Sequence, residues 1–282
     1  MGMILNSAKT VVLTALLTGL LLWVGNYFGG TAGIAIAAVF VVLMNGAMFW
    51  FSDKLVLKLY KAQELPTNHK VTKMVYEIAD KMKLPRPKVY VTPTMTPNAF
   101  ATGRSPKHAA VAVTQGILHL LNDHELKGVL AHEMAHIKHR DTLISTIVGM
   151  LAGIISFLAS MAQWAAIFGF GDRERAGLIQ LLVIAIVAPI VAMILRMAVS
   201  RAREYAADEA AARVLGDASG LKSALYKLEH GNKARPMQYG GTSSATEHMF
   251  IINPFSGKAF LEIFSTHPST QKRMAKLDAI KL

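Results

Sequence analysis

Two histidines and a glutamate in the middle of the chain have the spacing of a metal-dependent hydrolase. The segment His132-Glu133-Met134-Ala135-His136 has the form H-E-x-x-H. Residues four apart lie one above the other on a helix face, so both imidazoles can reach one metal ion. Glu133 projects about 100° away around the helix, where it can take a proton from the attacking water. The motif predicts metal-assisted hydrolysis; the alternative is two solvated histidines on an amphipathic helix.

A catalytic zinc site needs a third protein ligand and one position for water. Glu204 and Asp208 are again four residues apart, and Ala207 on their side of the predicted helix would allow a close approach. We assign Glu204 as the third ligand of one zinc ion, and Asp208 as the group that fixes the tautomer of a ligand histidine. The alternative for Glu204 is an exposed glutamate paired with Arg201 or Arg203.

The elements that must position these side chains can be predicted from caps and periodicity. Asn122 and Glu125 form a capping-box pattern at the start of a helix that runs from Asp123 to about Arg140. Asp141, directly after it, is either a supporting group of the site or a charge at the helix boundary. Other predicted elements are a helix capped by Thr67, strands at Lys88–Thr92 and Ala110–Thr114 with an extended segment 98–102 between them, and helices at Ser200–Leu215, Ala218–His230 and Pro268–Ile280, with a loop at Gly231–Thr246.

The composition indicates a membrane protein. The 282 residues carry 30 Lys+Arg and 18 Asp+Glu, which gives a net charge of +12, yet 52% are hydrophobic and only 17% charged. These values exclude a disordered chain and are unusual for a soluble domain. The basic residues are separated by long uncharged stretches, which favours a lipid bilayer over a nucleic acid as the partner. Because there is no cysteine, any metal must be held by His, Asp or Glu.

Three uncharged runs are long enough to form membrane spans. The first covers 43 positions between Lys9 and Asp53, and a bilayer-spanning helix needs about 20 residues. Its alternative is a cleaved secretory signal at the start, and for the later runs a buried helical pair in a soluble core. We predict four transmembrane helices, near residues 10–28, 32–51, 144–170 and 177–197, with a turn at Gly25–Gly30 and a charged link at Asp172–Arg175.

The basic residues predict the orientation of these spans. Positions 52–141 carry 14 Lys+Arg and positions 196–282 carry 13, so both polar segments and both termini should face the cytoplasm. The predicted organisation is a transmembrane hairpin at 1–51, the first half of a catalytic domain at 52–141, a second hairpin at 142–197, and the second half of the domain at 198–282.

Several motifs together resemble the HtpX family of membrane zinc metalloproteases, which are related to the CAAX prenyl endopeptidases. They are His132–His136, the segment Ser200–Asp208, Asn98–Gly103 and Ser265–Pro268, with two apolar spans between the first two. The resemblance implies a gluzincin-like, α+β catalytic domain with a small β-sheet on a mainly α membrane protein. It also implies a bacterial inner-membrane peptidase that cleaves misfolded or damaged membrane proteins in quality control and the stress response.

The resemblance also implies roles for residues outside the metal site. Asn98, Ala99 and Phe100 resemble the family's edge strand, to which an extended peptide substrate could add; the alternative is an ordinary hairpin. His267 and Arg273 resemble donors that stabilise the oxyanion of the tetrahedral intermediate. The alternative is a helix-start residue for His267 and a solvated cation for Arg273.

The sequence therefore predicts a membrane-embedded zinc endopeptidase that acts on membrane-protein or unfolded polypeptide substrates. Two alternatives stay open. One is a prenyl-protein peptidase, which would need a lipid-sized chamber that four spans are too few to build. The other is a non-catalytic membrane scaffold that keeps a zinc site for folding, with its basic patches on anionic lipid headgroups.

Overall fold

The computed structural model describes residues 60–142, 201–234 and 268–282, together with individual positions between 19 and 58. The chain divides into two compact units. One comprises Met1–Met48 with Thr146–Val199, and the other comprises Phe49–Ser145 with Ser200–Leu282. The second unit holds the H-E-x-x-H motif.

A small mixed sheet forms one layer of this unit. Its strands are β1 Gln63–Glu64, β2 Lys88–Thr92, β3 Ala99–Gly103 and β4 Ala109–Thr114, in the order β1-β2-β4-β3. The β2–β4 pair is parallel and the two outer pairs are antiparallel. The two predicted strands form within one residue of their expected ends, because short β-branched runs in both segments suit a buried pleated surface. The extended segment 98–102 pairs as β3 at one edge.

The unit combines this small sheet with several helices, which agrees with the predicted α+β domain. Its helices are α1 Lys70–Met82, α2 Gln115–Leu120, α3 Asp123–His139, α4 at residues 201–215, α5 Ser219–Ala234 and α6 Thr270–Asp278. Two predicted ends were wrong. The cap of α1 is His69, whose Nδ1 accepts the backbone N–H of Val71, rather than Thr67. Helix α5 continues four residues past His230, and the Leu120 side chain packs close to Gly231 in this extension.

Helix α3 runs through the centre of the unit. Both hydrogen bonds of the predicted capping box form: the Asn122 side chain accepts the backbone N–H of Glu125, and Glu125 accepts that of Asn122. The helix packs against α1, α5 and β3, so it is buried on most of its circumference. At Gly128 an added Cβ would lie 2.6 Å from the backbone nitrogen of Leu221, so a glycine is needed for the close contact with α5. A helix held on several sides is a rigid support for ligand side chains.

Most residues of the predicted membrane segments lie outside the part of the chain that the structure describes. The spans at 144–170 and 177–197 and the link Asp172–Arg175 lie outside the described residues, as does 235–246 of the predicted loop. Among the residues that the structure describes, no helix combines the length and the apolar character needed to cross a bilayer. In the first unit, residues 29–39 are helical, Gly30 has φ +57°, and the Gly25 and Gly33 backbones touch. The close approach of Gly25 and Gly33, eight residues apart, requires the chain to reverse direction between them.

Asp217 connects the start of α5 with the start of α3 through hydrogen bonds to both. Its carboxylate accepts the backbone N–H of Ser219 at 2.9 Å and lies 2.7 Å from Nε2 of His124. Burial opposes ionisation, but these hydrogen bonds outweigh it and lower the pKa of Asp217 to about 2. We expect Asp217→Ala to cost about 0.5–2 kcal/mol of stability at pH 7, as for other lost helix caps.

The same contact predicts how that cost depends on pH. A depressed folded pKa stabilises the protein above the unfolded value of about 3.9, and the contribution fades as the pH falls through the folded value. Thermal unfolding of wild type and Asp217→Ala between pH 7 and pH 2 measures it. A stability difference that stays constant over the whole range would contradict the assignment.

Candidate metal centre

The three predicted metal ligands meet at one point. Helix α3 presents both histidines on one face, with Nε2 of His132 3.1 Å from Nε2 of His136. Helix α4 brings in Glu204, whose two carboxylate oxygens each lie 3.4 Å from one of these nitrogens. His132 and Glu204 are buried, and His136 is partly buried. Residues separated by 68 positions in the sequence thus form one cluster that could hold a metal ion.

The distances within this cluster suit a small tetrahedral ion. Bonds of about 2.0–2.1 Å at tetrahedral angles place neighbouring donor atoms about 3.3 Å apart. The two ligand nitrogens are 3.1 Å apart, and each lies 3.4 Å from a different one of the two Glu204 oxygens, of which either could bind the ion. Close approach of α4 to α3 is possible because the small residues Ala207 and Ala211, on the same side of α4 as Glu204, are fully buried. Two nitrogens and one oxygen also leave the fourth tetrahedral position to water or substrate.

Each ligand histidine has its own carboxylate partner on its second ring nitrogen. Oδ1 of Asp208 lies 2.9 Å from Nδ1 of His132, the contact expected for Asp208. Oδ2 of Asp141 lies 2.9 Å from Nδ1 of His136, which places Asp141 among the supporting groups that the sequence left undecided. Such carboxylates fix the ring orientation and turn Nε2 toward the metal.

Each of these carboxylates also contacts a buried arginine. Arg273 of α6 is 1% exposed and binds Asp208 through two hydrogen bonds of 2.6 and 2.8 Å. A further guanidinium nitrogen of Arg273 lies 3.4 Å from Glu204. On the other side, Nε of Arg203 is 3.7 Å from Asp141. The alternative of Arg273 as a solvated cation is therefore wrong, because its guanidinium is enclosed among acidic groups.

The charges of the cluster fit a divalent cation. Its buried acidic groups are four carboxylates, those of Glu133, Asp141, Glu204 and Asp208, and its buried basic groups are the guanidiniums of Arg203 and Arg273. With all four carboxylates ionised and both imidazoles neutral, as metal binding requires of the ligands, two negative charges are left, which a divalent ion would neutralise. Uncompensated buried charge is costly, so the donor set and its surroundings both favour such an ion.

The pKa values reflect the same electrostatics. Burial opposes protonation of His132, but hydrogen bonds to Asp208 and Glu204 outweigh it and raise the pKa of this imidazole. The pKa of His136 is raised well above its ordinary value, with burial opposed by hydrogen bonds to Asp141 and Glu204. Burial also opposes ionisation of Asp208, yet the Arg273 guanidinium lowers the pKa of this carboxyl to about 2. The cluster attracts positive charge at both imidazoles.

Glu133 lies beside the ligands, facing the sheet. It is 4% exposed, and its carboxylate accepts the backbone N–H of Ala101 in β3. Burial raises the pKa of Glu133 above its ordinary value, although the nearby histidines oppose the shift. A carboxyl whose pKa is raised toward neutrality is suited to exchange protons with a reacting water.

The remaining predicted site residues divide into two groups. Asn98, Ala99 and Phe100 are buried residues at the start of β3, the edge strand that packs against α3. His267 lies outside the described residues. Arg203 was considered only as a surface partner of Glu204, because nothing in a chain with 30 basic residues distinguishes an arginine beside the site from the others.

This fold and ligand set define a class of protein, the metal-dependent peptidases with a zincin-like domain. Residues 66–281 match a family model described as Peptidase family M48. The chain belongs to peptidase family M48.

Its relatives are proteases of one type. The chain is 47% identical over 277 residues to the Protease HtpX homolog of Syntrophotalea carbinolica, covering 97% of this chain and 98% of that protein. It is 45% identical over 278 residues to Protease HtpX of Legionella pneumophila, covering 98% and 99%. The predicted resemblance is confirmed, and these identities favour an HtpX-type metalloprotease over a prenyl-protein peptidase or a non-catalytic scaffold.

A solved structure has a similar fold. The crystal structure of S. mikatae Ste24p superimposes with a TM-score of 0.57 at 19% sequence identity, covering 98% of this chain. The chain spans 65% of the length of that protein. The two proteins therefore share a fold.

Proposed function

We propose that this chain is a zinc-dependent endopeptidase of the bacterial cytoplasmic membrane that hydrolyses misfolded or damaged membrane proteins at the cytoplasmic face. The observation that carries the proposal is the position of Glu133, between the three-ligand cluster and the edge strand β3, with its carboxylate on the Ala101 N–H. One short region thus holds the metal ligands, a proton-transfer group and a strand edge.

Zinc is the metal that we propose for His132, His136 and Glu204. Imidazole nitrogens disfavour Mg²⁺ and Ca²⁺, and three protein ligands with one open position are typical of catalytic zinc. Bound zinc would polarise the scissile carbonyl and acidify the attacking water. Glu133 would accept the proton of that water and donate it to the amine nitrogen that leaves, as general base and then general acid.

We propose β3 as the strand that binds substrate. The backbone N–H of Thr114 donates to the carbonyl of Asn98, and antiparallel pairing alternates from there. The backbone groups of Ala99 and Ala101 therefore point away from β4, toward the side on which a peptide would add. Backbone pairing binds extended chains with little regard to sequence, as expected for unfolded substrates.

Roles for His267 and Arg273 follow in part from the family. We propose His267 as the donor to the oxyanion of the tetrahedral intermediate. Arg273 engages Asp208 and Glu204, so we propose that it acts through these carboxylates and supports the ligands.

The membrane placement is proposed from the sequence pattern. The uncharged runs are long enough for two hairpins, at 1–51 and 142–197, and the basic residues of 52–141 and 198–282 favour the cytoplasmic side for both halves of the catalytic domain. The HtpX relatives of nearly equal length support the family, and the role in membrane quality control under stress is proposed from the resemblance to that family.

Metal analysis tests the proposed cofactor. We expect the protein purified in detergent to contain one zinc ion per chain, and a strong chelator to remove both zinc and cleavage of an unfolded membrane-protein substrate. Zinc should restore the cleavage, because the ligands are fixed by their carboxylate partners. Cleavage that persists after complete removal of metal would contradict the proposal.

A further inference from the structure

The turn that ends α3 directs the next two residues back toward the active site. Arg140 adopts the left-handed conformation, with φ 59° and ψ 30°, and its N–H bonds to the carbonyls of His136 and Ile137. This reversal places Asp141 beside His136, five residues earlier, instead of one turn further along a continuing helix. Asp141 is 4% exposed although it lies at a helix end.

Asp141 links the second ligand histidine to α4. One carboxylate oxygen is 2.9 Å from Nδ1 of His136, and the other is 3.7 Å from Nε of Arg203. A proton held on Nδ1 by this contact leaves the lone pair of Nε2 directed at the metal position. Since Arg203 directly precedes Glu204 in the sequence, the same carboxylate connects the helices that supply the second and third ligands.

Thr142 makes a matching contact on the side of the sheet. Its hydroxyl donates to the carbonyl of Gly103 at 2.9 Å. Gly103 is the last residue of β3, has φ +128°, and has no room for a Cβ because the His108 carbonyl occupies that space. Two residues earlier in the same strand, the N–H of Ala101 reaches Glu133. The end of β3 is thus hydrogen-bonded to the residues that directly follow α3.

We propose that Asp141 and Thr142 are positioning residues that fix the metal ligands and the edge strand β3 relative to each other. Asp141 holds His136 for the metal, and Thr142 holds β3 beside Glu133. Both act through other residues. The part that concerns Thr142 rests on the proposed function, since it assumes that β3 binds the peptide substrate.

The Asp141 half is tested by metal affinity, without any measurement of activity. Asp141→Asn keeps the shape of the side chain and removes its charge, and we expect zinc affinity in a chelator competition to fall about 10–100-fold, as for other supporting carboxylates. Asp80→Asn, which removes an exposed carboxylate paired with Arg86, is the matched control and should bind zinc like wild type. Unchanged affinity in Asp141→Asn, with a normal melting temperature of the metal-free protein, would overturn this half.

The Thr142 half is tested by kinetics with zinc at saturation. Thr142→Val removes the hydroxyl at nearly constant volume, and we expect KM for an unfolded polypeptide to rise about 2–10-fold, the range for loss of one neutral hydrogen bond. Zinc affinity should not change, and Thr142→Ser, which keeps the hydroxyl, should restore KM. An unchanged KM in Thr142→Val, or a Thr142→Ser protein no better than Thr142→Val, would overturn it.

The two measurements separate failure of this inference from failure of the proposed function. A wild-type protein that binds zinc but cleaves no polypeptide would overturn the proposed function and, with it, the role of Thr142. The affinity comparison would still decide the role of Asp141. Should Asp141→Asn not fold, Asp141→Glu, which restores the charge on a longer side chain, is expected to bind zinc more weakly than wild type; equal affinity would overturn the role of Asp141.

Discussion

Glu133→Gln is expected to lower kcat for polypeptide hydrolysis by about 10²–10⁴-fold, the range for loss of a general acid–base group. The amide keeps the size of the side chain but cannot accept a proton from water. Zinc content should be unchanged, because Glu133 is not one of the three clustered ligands. Turnover of an unfolded membrane-protein substrate, measured with zinc content on the same preparation, checks both statements.

A matched control for this substitution lies on α1. Glu77→Gln makes the same chemical change at an exposed carboxylate that pairs with Lys127, and it should leave turnover and zinc content as in wild type. Wild-type turnover in Glu133→Gln would show that another group transfers the proton. Loss of zinc together with activity would show instead that Glu133 supports the ligands, and the general-base assignment would then fail.

Arg273→Met should destabilise the folded protein by about 3–5 kcal/mol, the cost of leaving a buried charge without its partner. Asp208 would lose the guanidinium that holds its pKa at about 2, although it is only 2% exposed. Zinc affinity should fall as well, because Asp208 would no longer be held against Nδ1 of His132. Thermal unfolding of the metal-free protein and chelator competition measure the two effects separately.

The chain contains a second arginine–aspartate pair of the same geometry in a different environment. Arg86 binds both oxygens of Asp80 at 3.2 and 2.8 Å, but both side chains are more than half exposed. Arg86→Met should therefore have little effect on stability, since solvent screens exposed pairs. Equal losses in Arg86→Met and Arg273→Met would contradict the view that burial of the Arg273–Asp208 pair determines its importance.

The sequence alone predicted the elements that depend on local physics. The capping box at Asn122 and Glu125 fixed the start of α3, and the i, i+4 spacing placed His132 and His136 on one face. Spacing and small neighbours were also sufficient to select Glu204 and Asp208 from the acidic residues of the chain. Where local signals were weaker, the prediction failed, as at the end of α5, where Gly231 lies inside the helix and close to the Leu120 side chain although glycine usually marks a helix end.

The tertiary structure decided which charged groups surround the ligands. No local pattern connects Asp208 with Arg273, 65 residues away, or Asp141 with Arg203, because such pairs form only when separate helices pack together. The role of Asp141 depended on the left-handed turn at Arg140, a conformation that the identity of an arginine does not indicate. Spacing within single helices thus determined which side chains could bind a metal and transfer a proton. Packing between helices decided which arginines and carboxylates surround those side chains and compensate their charge.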